Sequence, residues 1–255
     1  MASAAAVRLK IESALEGRFP SALTPQARTI RETSPTGIAA IDALLEGGLP
    51  VGAISEITGP ASSGRTSLAL SFLAQQTREE RVCAWVDAHD ALDVESAAAC
   101  GVRLQQLLWV RCRAVPAVKA RAHPDFTRMD QALRATDLLL QAAGFSALVL
   151  DLGSTATEHG ARIPLATWFR FRQAADRTRC SLLVLAEEPL AQSSAAVVLE
   201  CGMKADTDAG RTVLRGCTYE VSTGRQRFTP FLAGKRKPPA STWEATSKSE
   251  REVCA

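Results

Sequence analysis

The sequence predicts an α/β fold with a mainly parallel central sheet flanked by helices. Several apolar segments of strand length show no alternation of polar and apolar residues, which indicates strands buried on both faces. Segments with helical spacing separate them, as in DQALRATDLLLQAAG (130–144) and PLATWFRFRQAADRT (164–178), and this alternation is typical of a parallel sheet. The predicted strands are AISEITG (53–59), VCAWVDA (82–88), LLWVRC (107–112), FSALVLDL (145–152), SLLVLAE (181–187) and AVVLEC (196–201).

The two ends of the chain differ from this regular middle part, residues 36–233. Residues 1–35 combine a short helical segment with a linker rich in Pro, Thr and Ser, so we interpret them as an N-terminal helix and extended arm. The core closes with a C-terminal antiparallel hairpin whose turn is STGR (222–225). Residues 234–255 are polar and contain Pro, which predicts a flexible tail.

Composition and charge restrict the classes of protein. The chain has 255 residues, of which 46% are hydrophobic and 22% charged, which is ordinary for a globular protein. No apolar run approaches the roughly 20 residues that span a bilayer, and the first residues carry charges where a signal peptide needs an apolar stretch. We therefore expect a cytoplasmic protein without membrane contact. The net charge of +3 is too small to predict nucleic-acid binding by itself.

The segment GPASSGRTS (59–67) lies between a predicted strand and a predicted helix. In that position a Gly/Ser-rich loop forms an anion cradle from its backbone N–H groups and the start of the helix. The Thr66 hydroxyl would face Mg²⁺. Asp151, at the end of the strand ALVLD, is the acidic residue of the second motif that such a site needs. We predict a phosphate loop for ATP made of Gly59, Ser62, Ser63, Gly64, Arg65, Thr66 and Ser67.

Arg65 departs from the usual pattern, which has lysine in its place. Arginine keeps the positive charge, but its planar fork is bulkier and directed differently from a lysine ammonium. Whether the loop binds a nucleotide is therefore a separate question from whether the loop forms.

Residues 36–93 resemble the core of bacterial RecA recombinases almost without gaps, and the resemblance continues through GVRLQQLLWV and ALVLD. GRFPSALTP, VCAWVDAHDALD and RIPLATWFRFRQAADRTRCSLLVLAEEPLA are similar to RecA-like accessory proteins of the ImuA type, over roughly residues 17–233. That resemblance implies a bacterial, nucleoid-associated protein of DNA-damage-induced (SOS) mutagenesis and translesion DNA synthesis. Such proteins occur beside an inactive Y-family polymerase-like protein, ImuB, and a second replicative-type polymerase.

The resemblance implies roles for individual residues, and most of the working ones are replaced. His89 stands where RecA has its catalytic glutamate, Ser96 where an aromatic ring stacks on adenine, and Glu188 where a glutamine senses the terminal phosphate. Asp93, a candidate for the adenine amino group, and Asp151 match. An imidazole cannot replace a carboxylate that orients and deprotonates water without changing both the geometry and the pKa of the base. We therefore expect a degenerate NTPase site with no catalytic residue.

The segments that correspond to RecA's DNA-binding loops are short. Only 30 positions lead from Asp151 to Ser181, and only PLAQSSA lies between Glu188 and the predicted strand at Ala196. We therefore expect at most a weak DNA contact. The 162–179 segment is basic, and either a solvated helix face or a nucleic-acid contact explains its arginines: Arg162, Arg170, Arg172, Arg177 and Arg179. Trp168 and Phe171 are expected in the core.

The N-terminal helix and arm are the predicted partner-binding region. In RecA, the resemblance implies, this part of one subunit packs on the neighbouring core. The corresponding side chains here are Val7, Ile11, Leu15 and Phe19. The alternative is a helix that folds back on its own core.

Three functions from different classes are consistent with these features. The first is an adaptor that binds an ImuB-like Y-family polymerase-related protein and RecA. The second is an active DNA-dependent ATPase of recombinational repair. The third is a SulA-like cell-division inhibitor, but SulA-like proteins tend to lose the phosphate loop, which is nearly whole here.

Overall fold

The computed structural model describes residues 29–113, 124–153, 163–204, 216–230 and 240–246. The predicted partner-binding side chains lie outside these residues: Val7, Ile11, Leu15 and Phe19.

The described part of the chain is built around one large sheet. Its strands, numbered in chain order, are β1 Thr29–Arg31, β2 Thr33–Ser34, β3 Leu49–Pro50, β4 Ile54–Thr58, β5 Cys83–Asp87, β6 Leu107–Arg111, β7 Ala147–Asp151, β8 Ser181–Ala186, β9 Ala195–Lys204, β10 Gly216–Gln226, β11 Phe228–Pro230 and β12 Ala240–Thr246. Eight of them form the sheet in the order β12-β10-β9-β4-β8-β7-β5-β6. The strands from β9 to β6 run parallel, and β10 and β12 add antiparallel at one side. The predicted α/β fold with a mainly parallel sheet is confirmed.

Helices cover both faces of the sheet. They are α1 Ala39–Leu44, α2 Arg65–Arg78, α3 Val94–Ala99, α4 Pro124–Ala142 and α5 Leu165–Thr178. The core under α1, α2 and α3 contains Phe72 and Trp85, and the core under α4 and α5 contains Trp168 and Phe171. The placement of Trp168 and Phe171 in the core is confirmed, since both are fully buried. Among the described helices, none is long and apolar enough to cross a membrane.

The predicted hairpin turn at residues 222–225 is wrong. β10 runs through this segment and pairs antiparallel with β9, with a register shift between Thr223 and Arg225. A two-residue hairpin turn needs positive φ, and Gly224 is not among the residues with positive φ. The glycine therefore marks a bulge inside a long strand. The antiparallel C-terminal region is instead made by β9, β10 and β12.

The predicted flexible tail over residues 234–255 is wrong for Ala240–Thr246, which form β12 on the edge of the sheet. Polar composition concealed this strand because an edge strand needs few apolar side chains. Its register places Trp243 directly opposite Tyr219 of β10, and the two rings pack together. At the other end, β1 pairs with β11 and β2 with β3, so residues 29–34 of the predicted arm attach to the core. The domain boundaries stay predictions.

Candidate functional site

The phosphate loop connects β4 to α2, and its backbone has the strained shape that the motif requires. Ser62 and Gly64 have left-handed backbone conformations, with φ of 62° and 88°, and α2 begins at Arg65. A non-glycine residue at positive φ is uncommon, so the backbone of Ser62 indicates that the loop holds an unfavourable local conformation. The first N–H groups of a helix have no partner within the helix, so this end of α2 is suited to a phosphate.

The side chains of the loop differ in exposure. Ser62 and Thr66 are exposed and Ser67 is half-buried. Ser63 is 1% exposed, and its Oγ has no hydrogen-bond partner within the described ranges. Buried hydroxyls are nearly always paired, so a ligand oxygen would satisfy Ser63. Gly59, at the start of the loop, donates its N–H to the Glu187 carbonyl at 3.1 Å.

Arg65 is turned towards the end of β7. Its side chain is 9% exposed, and Nη1 donates to the Gly153 carbonyl at 3.3 Å. The guanidinium thus supports the backbone that follows Asp151. A phosphate on the loop could still meet its remaining N–H groups, since arginine carries five donors.

His89, in the place of the catalytic glutamate, is also fixed by the end of β7. Its Nε2 lies 3.0 Å from the Leu152 carbonyl oxygen. A carbonyl only accepts, so Nε2 carries the proton and cannot serve as a base. The ring also lies close to Gly153, where an added Cβ would be 2.9 Å from His89 Cδ2. The imidazole therefore acts as a structural link between the ends of β5 and β7.

Two carboxyl groups end β5 and β7, Asp87, which is buried, and Asp151, which is half-buried. Asp87 is fully buried and accepts from the backbone N–H groups of His89 and Leu92 at 3.1 and 2.9 Å. Asp151 Oδ1 accepts the Gly153 N–H at 2.9 Å. Burial raises the pKa of Asp151 to about 6, and the neighbouring Asp87 adds to the rise, while the Gly153 N–H, Arg65 and His89 oppose it.

Asp90, the carboxylate nearest to the position of the missing glutamate, is bound elsewhere. Arg111 of β6 holds it with two hydrogen bonds, Nε to Oδ1 at 2.5 Å and Nη2 to Oδ2 at 2.6 Å. The hydrogen bonds from Arg111 lower the pKa of Asp90. The Arg111 guanidinium also lies 4.7 Å from the centre of the Trp109 ring. Asp90 is therefore part of an arginine–carboxylate pair at the sheet edge.

Asp93, the predicted adenine ligand, caps α3. Its carboxylate accepts the backbone N–H groups of Glu95 and Ser96 and the Ser96 hydroxyl, and the hydrogen bonds from Ser96 lower its pKa. The Ser96 hydroxyl is thus part of the helix cap, and Ser96 has no ring that could stack on adenine. Glu188, in the position of the phosphate-sensing glutamine, is exposed after β8.

Glu56, in the middle of β4, was not predicted from the sequence as a site residue. It is 1% exposed, and its Oε1 accepts the backbone N–H groups of Leu190 and Ala191 at 2.6 and 2.7 Å. Its Oε2 lies 3.9 Å from Arg225 Nη2. Burial raises its pKa. The available signal was a charged residue inside an otherwise apolar strand, and its effect is to fix the loop between β8 and β9.

Two arginines of the basic segment are held by carboxylates. Arg170 Nε donates to Asp137 of α4 at 2.9 Å, and Arg179 pairs with Glu32. Arg172 and Arg177 are exposed on α5, and Arg162 lies outside the described residues. Arg170 thus connects α5 to α4, and Arg179 connects the end of α5 to the residue between β1 and β2. These contacts support the interpretation as a solvated helix face.

A parallel sheet with a phosphate loop after a central strand, and an acidic residue at the end of a strand two positions away, defines the class of P-loop nucleotide-binding folds. Within this class, the chain belongs to the family of the RecA N-terminal domain, whose family model matches residues 21–157, more than half of the chain.

Relatives with known names support this assignment. Over 121 residues the chain is 42% identical to Protein RecA of Brucella anthropi and 41% identical to Protein RecA of Ruegeria pomeroyi. The matches cover 47% of this chain and only 30% and 31% of those proteins. The crystal structure of the RadB recombinase shares the fold, with a TM-score of 0.55 and 16% identity over 82% of this chain and 94% of that one.

Proposed function

We propose that this protein is a non-recombinogenic RecA-like accessory factor of translesion DNA synthesis. It acts as an adaptor at the bacterial nucleoid and binds an ImuB-like Y-family polymerase-related protein, with RecA as a second partner. The observation that carries this proposal is the use of Arg65 and His89. Both side chains hydrogen-bond the backbone that follows β7, so the positions that work in catalysis in RecA serve the structure here.

The loop retains the groups needed to hold Mg²⁺-ATP. The N–H groups of Ser62, Gly64, Arg65 and Thr66 would hold the phosphates, and the Thr66 hydroxyl and Asp151 would face the metal ion. The Ser63 N–H already donates to the Pro60 carbonyl at 3.2 Å. Bound Mg²⁺-ATP would supply a phosphoryl bond that can be hydrolysed and charge on both sides of the site. The His89 imidazole takes the place of a carboxylate, and its Nε2 contacts the Leu152 carbonyl. We therefore expect the bound nucleotide to stabilise the fold and not to be hydrolysed.

A weak DNA contact is consistent with the short β8–β9 connection. Glu56 binds two backbone N–H groups of this loop, and a 3₁₀ turn, Gln192–Ser194, leads directly into β9. A loop fixed in this way offers little length for single-stranded DNA. DNA is therefore a weak ligand of this protein and not the scaffold of a filament.

The open edge of the sheet at β6 is the proposed docking surface for the partner. Leu108 of β6 is 43% exposed, Leu104, shortly before β6, is 38% exposed, and Val82, just before the neighbouring β5, is 42% exposed. Among the described strands, β6 is the last of the sheet, so one row of its backbone groups can accept a further strand. A partner segment that combines a strand with apolar side chains fits this edge. The protein's own N-terminal helix and arm would compete for it.

Capture of a tagged ImuB-like protein from the same mutagenesis cassette tests the proposal. We expect Leu108→Glu to reduce capture at least tenfold. The matched control is Leu138→Glu on α4, where the leucine is 69% exposed, and it should leave capture unchanged. Deletion of residues 1–20 should weaken self-association in sedimentation while capture persists. Equal capture by wild type and Leu108→Glu, or loss of capture on truncation of a folded protein, would overturn the docking model.

A second candidate function, a DNA-dependent ATPase of recombinational repair, is favoured by one observation. The phosphate loop keeps its left-handed residues Ser62 and Gly64, together with Thr66 and Asp151. ATP hydrolysis stimulated by single-stranded DNA would favour this function over the adaptor.

A further inference from the structure

Two aromatic side chains of the C-terminal strands lie against the phosphate loop. Tyr219 of β10 and Trp243 of β12 are directly opposite each other in the antiparallel pairing. Their ring centres are 4.8 Å apart with an angle of 36° between the planes. Both residues are half-buried, so the pair keeps part of its surface open.

The contact between this aromatic pair and the loop is made at Gly64. A Cβ added to Gly64 would lie 2.8 Å from Tyr219 Cγ and 3.2 Å from Trp243 Cζ2, distances at which atoms overlap. The rings therefore touch the backbone of the last glycine before α2. Any larger residue at position 64 would displace them.

The aromatic pair and the acidic side of the site lie on opposite sides of the loop. In the sheet, β9, β10 and β12 follow β4 on one side, and β8 and β7 follow it on the other. Asp151, at the end of β7, and the Thr66 hydroxyl mark the side for the terminal phosphate and its cation. The phosphate chain separates the terminal phosphate of a nucleotide from its nucleoside. With the terminal phosphate near Asp151, the nucleoside end would lie on the other side of the loop, towards Tyr219 and Trp243.

Two buried donors without partners lie at this end of the site. Within the described residues, Ser63 Oγ and Trp243 Nε1 have no hydrogen-bond partner. Buried polar atoms in this condition are rare in native proteins. A phosphate oxygen at Ser63 and an acceptor atom of a base or ribose at Trp243 would satisfy both.

We propose that Tyr219 and Trp243 form the base-binding wall of the nucleotide site, which takes a nucleoside di- or triphosphate. Bases stack on aromatic rings through their π-faces, and the ring that Ser96 does not provide is supplied from the other side of the loop. This inference rests on the nucleotide binding proposed above for the phosphate loop and not on the adaptor role, which partner capture tests separately.

Isothermal titration of the full chain with ATP and with inorganic tripolyphosphate tests the proposal. Tripolyphosphate occupies the loop without offering a base. Trp243→Ala should weaken ATP binding about tenfold, the typical scale of one base–aromatic stack, and leave tripolyphosphate binding within about twofold. Trp243→Phe, which keeps a ring, should restore most of the ATP affinity. Phe169→Ala on α5, which removes a ring that is 44% exposed on the other face of the sheet, is the matched control and should change neither affinity.

Several outcomes would overturn this inference. If Trp243→Ala tightens both ligands, the rings cover the loop instead of receiving a base. If it weakens both equally in a protein that is folded by circular dichroism, the ring supports the loop only. If wild type binds neither ligand, or binds ATP no better than tripolyphosphate, no base site exists. In each case, capture of the ImuB-like partner would show separately whether the adaptor function stands.

Discussion

The side chains of Arg65 and His89 both contact backbone carbonyl groups just after β7. A lysine at position 65 would bind a phosphate, and a glutamate at position 89 would orient a water molecule. The arginine and the histidine instead hydrogen-bond two consecutive carbonyl groups, those of Gly153 and Leu152. Together they fix the backbone after β7, next to the half-buried Asp151.

The partial burial of Asp151 leads to a prediction about stability and pH. Its folded-state pKa of about 6 lies above the value near 3.9 of an unfolded chain, so ionisation of Asp151 destabilises the fold. Relative to Asp151→Asn, wild type should lose stability as pH rises from about 4 to about 6, and the loss should persist above that. At pH 8, without nucleotide or Mg²⁺, we expect the variant to be more stable by about 2 to 3 kcal/mol.

Urea unfolding at pH 4 and pH 8 measures this difference. Asp130→Asn, which removes a carboxyl from the exposed side of α4, is the control and should stay within about 0.5 kcal/mol of wild type at both values. A gap between Asp151→Asn and wild type that does not change with pH would contradict the account of the Asp151 carboxyl.

The departures from the family pattern in the site are visible in the sequence, but the groups that the replacing side chains contact are not. The sequence shows that His89 and Arg65 differ from the family pattern. Their contacts depend on how the ends of β5 and β7 meet the loop after β4, which is a matter of tertiary structure. Tyr219 and Trp243 were missed for the same reason, because they reach Gly64 only through the pairing of β10 with β12.

Among the elements, the β8–β9 connection depends on one buried side chain, Glu56. Its carboxylate takes two backbone N–H groups of the loop, and these would otherwise lack an acceptor in the interior. Burial of a charged group in the middle of a strand costs desolvation free energy. The two hydrogen bonds to the loop offset part of this cost and fix the conformation of the loop.

Replacement of Glu56 should therefore destabilise the protein in a graded way. Glu56→Ala removes the acceptor of two buried N–H groups, and we expect a loss of about 2 to 4 kcal/mol in the free energy of unfolding. Glu56→Gln keeps an oxygen for both N–H groups and should cost about 1 kcal/mol or less. Hydrogen exchange of the Leu190 and Ala191 amides should increase in the alanine variant only. Equal losses for both variants would argue against the amide contacts.

The strands of the parallel sheet were predictable because each is a continuous apolar run between helical segments. The segments at the edges and in the closing region were not. β12 has a single large apolar residue, Trp243, and the glycine in β10 makes a bulge where a turn was expected. In both cases long-range pairing overrides a local pattern.

At the scale of the whole molecule, the sheet places three features in a row. The proposed base-binding wall lies at the β12 edge, the phosphate loop lies at β4, and the proposed docking strand, β6, is at the far edge. Nucleotide and partner would thus bind at different parts of one rigid sheet. This arrangement suits a protein that uses the recombinase fold as a platform.

The rate of ATP hydrolysis by the purified protein, with Mg²⁺ and single-stranded DNA present, tests the central claim most directly. With His89 and Arg65 both engaged by the end of β7, we predict phosphate release no faster than the protein-free background. The double variant Arg65→Lys, His89→Glu restores the family's residues and is the comparison. A wild-type rate of roughly 0.1 to 1 per second, low for an enzyme, that disappears in Thr66→Ala would contradict the account.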